Sequence, residues 1–229
     1  TNAGKSTLFN RITAGGVLTF DTAPDFETLA DFNNDGVYEV EVTANDGNTG
    51  TDVQTILVTV TNVNEAPTLV TLSASTVDEN TDTSGGYTVG SLTTTDPDSG
   101  DTTSYSINGG ADAARFSISG SDLILTDGLL DFETQASYEV TVRITDSGGL
   151  THDQTFTISV NDLNEAPSFD STAVTAATED VAYSYTITTS DPDSGASLTI
   201  TATTRPAWLT LTDNGDGTAT LSGTPTNLE

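Results

Sequence analysis

Acidic residues of this chain gather in short phrases rather than spreading evenly. In the middle of the chain they are Val77-Asp78-Glu79-Asn80, Asp96-Pro97-Asp98, Asp131-Phe132-Glu133, Asp146, and Asp162-Leu163-Asn164-Glu165. Each lies at the end of a candidate strand rather than on a strand face. A sandwich collects strand ends at its two poles. Four of these groups can therefore converge on one pole, facing Asp191-Pro192-Asp193 of the next block. Two carboxylates about 4 Å apart repel by about 4 kcal/mol at an effective dielectric near 20. A cation removes that conflict. Calcium accepts roughly 6–8 oxygens from carboxylates, amides and backbone, whereas magnesium demands stricter geometry and fewer protein ligands. Asp and Asn also favour turns for reasons unrelated to metal. What argues against turns alone is repetition in register.

The repetition is direct. Asn62-Val63-Asn64-Glu65-Ala66-Pro67 returns 100 residues later as Asp162-Leu163-Asn164-Glu165-Ala166-Pro167. Tyr38-Glu39-Val40 returns as Tyr138-Glu139-Val140, Asp25-Phe26-Glu27 as Asp131-Phe132-Glu133, and Asp96-Pro97-Asp98-Ser99-Gly100 as Asp191-Pro192-Asp193-Ser194-Gly195. A period of this size indicates an array of small domains.

The elements that must carry these phrases are strands. Tyr38, Val40, Val42 and Ala44 alternate with polar residues, as do Tyr138, Val140, Val142 and Ile144. Ile56, Val58 and Val60 repeat the pattern, and so do Phe156, Ile158 and Val160. Thr fills the opposite face, as half-buried antiparallel strands prefer. The expectation is an all-β chain of tandem antiparallel Greek-key sandwiches. Proline stiffens the crossing at each seam, which places boundaries near Ala66 and Ala166. The domains expected are 1–66, 67–166 and 167–229. The middle block has strand candidates at 69–77, 86–94, 103–107, 115–118, 122–126, 137–145 and 153–161. The end domains read as incomplete: the first lacks its opening strands and the third its last two. A fragment of a longer array is the plain expectation; the alternative is that the two ends complement one another between molecules, as subunits of a filament.

Composition narrows the function classes. The formal net charge is −29, from 34 acidic and 5 basic residues. That excludes a nucleic-acid partner, since nothing could neutralise phosphates, and it disfavours anionic lipid. There is no Cys, so neither disulfides nor thiolate metal sites are possible. No apolar run approaches the roughly 18 residues of a membrane helix. His152, placed in a polar turn, belongs to no Ser, His and acid set, so nucleophilic catalysis has no support and an enzyme is not expected.

The acidic phrases, taken in type and order, resemble the calcium motifs of the cadherin repeat over about 14–167. The family is defined by cadherin/immunoglobulin-like sandwiches. The resemblance implies calcium ions held between consecutive domains. At the second joint it implies Glu79, Asp131, Glu133, Asp162, Asn164 and Glu165, with Asp191 and Asp193. At the first it implies Asp25, Glu27, Asn62, Asn64 and Glu65, with Asp96, Asp98 and Asp146. Asn62 stands where the second seam has Asp162, with one negative charge fewer. Both seams are one residue shorter than the animal pattern and look like cadherin-like repeats of large bacterial surface proteins. In the third block, Arg205-Pro206-Ala207-Trp208-Leu209 with Leu221-Ser222-Gly223-Thr224-Pro225 resembles the dystroglycan-type cadherin-like domain. Trp208 is expected in the core.

Two further stretches stand apart. Asp31-Phe32-Asn33-Asn34-Asp35-Gly36 is absent from the second block, and alternating oxygen residues before Gly resemble a calcium loop. The acid that closes a 12-residue loop is out of place, so a plain turn is the expectation. Asn2-Ala3-Gly4-Lys5-Ser6-Thr7-Leu8 looks like a phosphate loop but has no visible strand before it. It reads as a stretch foreign to the sandwich, which is expected to begin by Val17.

These readings favour a calcium-stiffened spacer in an extracellular or cell-surface adhesin or fibre. Its partners would be the neighbouring cadherin-like domains of the same chain. The alternative is a recognition module for homophilic adhesion or surface polysaccharide, which needs an exposed apolar patch.

Overall fold

The structure is a computed structural model that describes residues 9–12, 18–20, 22–29, 31 and 33–226. The phosphate-loop-like stretch at 2–8 and Val17 lie outside the described residues. The described strands are β1 (Phe9–Ile12), β2 (Leu18–Phe20), β3 (Val37–Asn45), β4 (Thr51–Thr59), β5 (Leu69–Leu72), β6 (Thr76–Asp78), β7 (Tyr87–Thr95) and β8 (Ser104–Gly109). They continue as β9 (Phe116–Ser119), β10 (Asp122–Leu125), β11 (Ser137–Thr145), β12 (Thr151–Asn161), β13 (Ser168–Phe169), β14 (Tyr183–Ser190), β15 (Leu209–Asp213) and β16 (Thr218–Gly223). The fold is all-β, as the alternating pattern requires. β1 pairs antiparallel with β2, so strand structure is already present at Phe9–Ile12.

By its own contacts the chain divides into two compact units. One comprises Thr1–Ser75, Thr88–Leu125 and Glu139–Thr157; the other comprises Thr76–Tyr87, Thr126–Tyr138 and Ile158–Glu229. The division runs through the middle block, whose sheets have the strand orders β5-β7-β10-β9 and β6-β12-β11-β8.

In the first unit, β3 and β4 form a nine-pair hairpin from Val37↔Thr59 to Asn45↔Thr51. Tyr38 is fully buried and meets the Phe20 ring edge-on at 5.4 Å. Val70, Leu92, Leu123, Leu125, Val140, Val142 and Ile144 are buried and form the apolar interior. They are the inward half of each alternating strand; burying each such side chain contributes about 1.5–3 kcal/mol. In the second unit the buried set is Val77, Leu130, Tyr138, Ile158, Val160, Ile200 and Ala219. Its sheet has the order β13-β14-β16-β15. Trp208 is half-buried and meets Tyr183 edge-on at 6.0 Å, so the indole packs at the rim of this sheet rather than inside it.

Two expectations need correction. The single strand expected over 69–77 is two strands. β5 pairs antiparallel with β7, then the chain crosses at Ser73-Ala74-Ser75 and β6 pairs parallel with β12. The crossing needs Gly90: a Cβ there would stand 2.8 Å from the Ala74 backbone nitrogen. Ser73 locks it, donating from its N–H to Ser91 O at 3.0 Å and accepting the Ser91 N–H on its hydroxyl at 2.8 Å. His152 lies in β12, half-buried, not in a turn.

Candidate metal centres

Among the described residues each unit holds two triplets of clustered carboxylates, and the same backbone bonds recur at both. In the first unit the Glu65 N–H donates to Asp98 Oδ2 at 2.8 Å, and the Asp98 N–H donates to Asp96 Oδ1 at 2.9 Å. In the second, the Glu165 N–H donates to Asp193 Oδ2 at 2.9 Å, and the Asp193 N–H donates to Asp191 Oδ1 at 3.0 Å. The Asp-Pro-Asp phrase is thus a turn whose second carboxylate grips the seam.

Glu27, Glu65 and Asp98 bring a carboxylate oxygen each within 4.8 Å of one another, and so do Asp96, Asp101 and Asp146. The Asn62 amide donates to Asp98 Oδ1 at 2.7 Å, and the Asn64 amide to Asp146 Oδ2 at 2.8 Å. Asp146 also accepts the Leu150 N–H at 2.7 Å. Asp98 and Asp146 are buried, whereas Glu65 Oε2, Asp96 Oδ2 and Asp101 Oδ2 are shielded from solvent with no hydrogen-bond partner. Buried polar atoms are nearly always paired. Turning either Asn about its last torsion exchanges its amide nitrogen for its oxygen.

In the second unit, Glu79, Glu133 and Glu165 form one triplet and Glu133, Asp162 and Asp193 another, again within 4.8 Å. Glu79 is 3% exposed and is held by the Phe132 N–H at 3.0 Å and the Leu163 N–H. Asn80 takes φ of 62° and reaches Glu165 Oε1 with its amide at 3.1 Å. Glu165 Oε2 is shielded and unpaired.

The electrostatics agree with the geometry. Burial first, then Glu27 and Asp98, raise the Glu65 pKa above its ordinary value. Burial raises Glu133, with Glu79 and Asp162 adding to it, and raises Asp162, with Asp193 and Glu79 adding. Glu165 is raised by burial and by Glu79 and Asp193, against a lowering bond from Asn80. Asp101 is the exception, lowered chiefly by the Ser147 hydroxyl. In all four acids burial is the larger cause and neighbouring carboxylates add to it. The donor set is all oxygen, and calcium accepts such a set. The unpartnered oxygens fit that ion.

Of the residues implied by the sequence, ten enter the clusters: Glu27, Glu65, Asp96, Asp98, Asp146, Glu79, Glu133, Asp162, Glu165 and Asp193. Asn62 and Asn64 meet them as amide donors. Asp25 and Asp131 each brace their own turn with one oxygen, accepting from Glu27 N and Thr134 N respectively, and stand near enough to raise Glu65 and Glu133. Asp191 likewise accepts from Asp193 N, and Asn164 donates to Glu165 O. Asp101 was missed. Its signal is the sixth residue of Asp96-Pro97-Asp98-Ser99-Gly100-Asp101, where the third block has Ala196.

Residues 73–161 match the family profile described as Cadherin domain, and residues 166–229 match the one described as "Putative Ig domain". Among solved structures the chain is similar to the protocadherin GammaB4 extracellular domain, at 26% identity and a TM-score of 0.62, covering 99% of this chain and 37% of that one. It is also similar to protocadherin Gamma B2 extracellular cadherin domains 1-5, at 23% identity and a TM-score of 0.60, covering 93% and 43%. The human desmocollin-1 ectodomain shares 22% identity at a TM-score of 0.51, covering 96% and 44%. The last two likenesses establish the fold alone. The chain spans less than half the length of each of these three structures.

Proposed function

We propose that this chain is a calcium-binding structural segment of an extracellular adhesion-type protein, acting as a spacer. Ions at the two seams would tie the residues before each Ala-Pro step to those after it. The domain boundaries on this reading are near Ala66 and Ala166. The observation that carries it is the pair of carboxylate sets, each with shielded oxygens that have no hydrogen-bond partner among the described residues. The Glu-Ala-Pro seams support a large bacterial surface protein as the parent, and Arg205 to Pro225 support a dystroglycan-type third domain.

Isothermal titration tests the reading directly. Calcium should bind with a stoichiometry above one. Asp162→Ala should remove the second-seam share and expose residues 162–167 to limited proteolysis, while the middle sandwich keeps its melting transition. Loss of the whole fold would make the phrase core structure instead, and absence of calcium heat would end the proposal.

A further inference from the structure

The six residues Asp31 to Gly36 have no counterpart in the middle block. Thirteen positions separate Asp25 from Tyr38, whereas seven separate Asp131 from Tyr138. The frame around the insertion is unchanged. The Val60 N–H donates to Gly36 O at 2.9 Å, and the Val160 N–H donates to Ala136 O at 2.9 Å. The chain has therefore added a loop at this point without altering the bond that follows it.

That loop buries a charge. Asp31 is 7% exposed. Its Oδ2 accepts the Gly36 N–H at 2.7 Å, which turns the carboxyl inward across the loop. Its Oδ1 is shielded from solvent and has no partner among the described residues. Burying a carboxylate oxygen unpaired is costly, and the usual remedy is a basic side chain. The sequence from Ile12 to Ala114 contains no Lys, Arg or His. Around the same loop, Asp35 accepts the Val37 N–H at 2.9 Å and the Asn33 amide at 2.7 Å. Asn34 at φ 56° and Gly36 at φ 76° curl the backbone through the left-handed region.

We propose that this loop is a calcium site separate from the two seams, with Asp31 Oδ1, Asn33 Oδ1 and the Asp35 carboxylate as its side-chain ligands. Backbone carbonyls and water complete the six or more oxygens that calcium takes. The spacing of the three residues matches the first, third and fifth positions of a calcium loop. The twelfth position is Val42 rather than a bidentate acid. Affinity is therefore expected in the weak range of extracellular modules, about 10⁻⁴–10⁻³ M.

The loop also bears on the first seam. A Cβ on Gly36 would stand 3.8 Å from the Phe26 ring and 3.9 Å from Leu29, so the loop rests on the Asp25-Phe26-Glu27 turn. An ion that orders the loop holds the turn that presents Glu27.

Amide NMR of the whole chain during calcium titration tests the proposal. Resonances of Asn33 to Val37 should shift with sub-millimolar to millimolar calcium. They should still shift in a chain carrying Glu65→Gln and Glu165→Gln, which weakens the seams and separates this proposal from the seam reading. Asp35→Asn, at an exposed position, should weaken the loop response about tenfold or more, and Asp31→Asn should do the same. Silence of these amides at about 10 mM calcium would overturn the proposal. So would a response lost with the seam variants, or one that survives both loop variants unchanged.

Discussion

Replacing Glu65 by glutamine is expected to move thermal stability in opposite directions with and without calcium. In chelator, the Glu65 Oε2 has no partner, and Glu27 and Asp98 each place a carboxylate oxygen within 4.8 Å. Glutamine keeps the shape and removes one of three like charges, so the melting temperature should rise. In calcium the same change removes a ligand. A site filled at one hundred times its dissociation constant stabilises the folded state by about 2.7 kcal/mol. For a chain of 150–250 residues about 1 kcal/mol corresponds to roughly 2–4 °C, so one site is worth about 5–11 °C. The variant should lose most of that increment. Differential scanning calorimetry in chelator and in saturating calcium reads both arms. A shift of the same sign in both conditions, or a full calcium increment in the variant, would refute the reasoning.

The raised acids predict proton release. Glu65, Glu133, Asp162 and Glu165 bind protons more tightly folded than unfolded, so the stability they contribute is present below the ordinary value, 4.5 for Glu and 3.8 for Asp, and is lost as pH rises from there through the raised folded value. If calcium binds at the seams it should displace those protons, so an indicator dye should register more acid on calcium addition as pH is lowered toward the ordinary carboxylate range; no release at any pH there would count against calcium binding by these groups. Gly148→Ala would set a Cβ 2.3 Å from Asn64 Oδ1, pushing Asn64 off Asp146. Titration should then show weaker calcium binding at the first seam only. Leu123 is fully buried, so Leu123→Ala should cost about 2–5 kcal/mol in urea unfolding with calcium stoichiometry unchanged.

Much of this was legible in the sequence because both signals are local. Alternation in Ser137–Thr145 becomes β11 without change, since a period of two leaves one face buried wherever a sheet covers it. The carboxylate phrases were legible because they repeat. What stayed hidden depends on packing between distant residues. Leu69 to Val77 reads as one strand, and only the approach of Ala74 to Gly90 shows where it crosses. Asp101 looks like any turn acid until the Ser147 hydroxyl and Asp146 are brought beside it. Asp25 and Asp131 match a ligand motif, and in the structure one oxygen of each also accepts an N–H of its own turn, a second role the motif alone does not reveal. Asp31 reads in sequence as part of a plain turn, and its burial, on which the loop-ion proposal rests, comes from packing that the sequence does not show.

The crossover at Ser73-Ala74-Ser75 has a mechanical consequence. It sets β6, near the entry of the middle block, alongside the end of β12, near its exit, and the two run in the same direction. Tension applied from opposite ends of the chain then acts along that pair rather than across it. The contacts Thr76↔Ser159, Val77↔Val160 and Asp78↔Asn161 must give way together, whereas an antiparallel pair peeled from one end opens a rung at a time. On the spacer reading proposed above, this pairing would give the segment resistance to being drawn out.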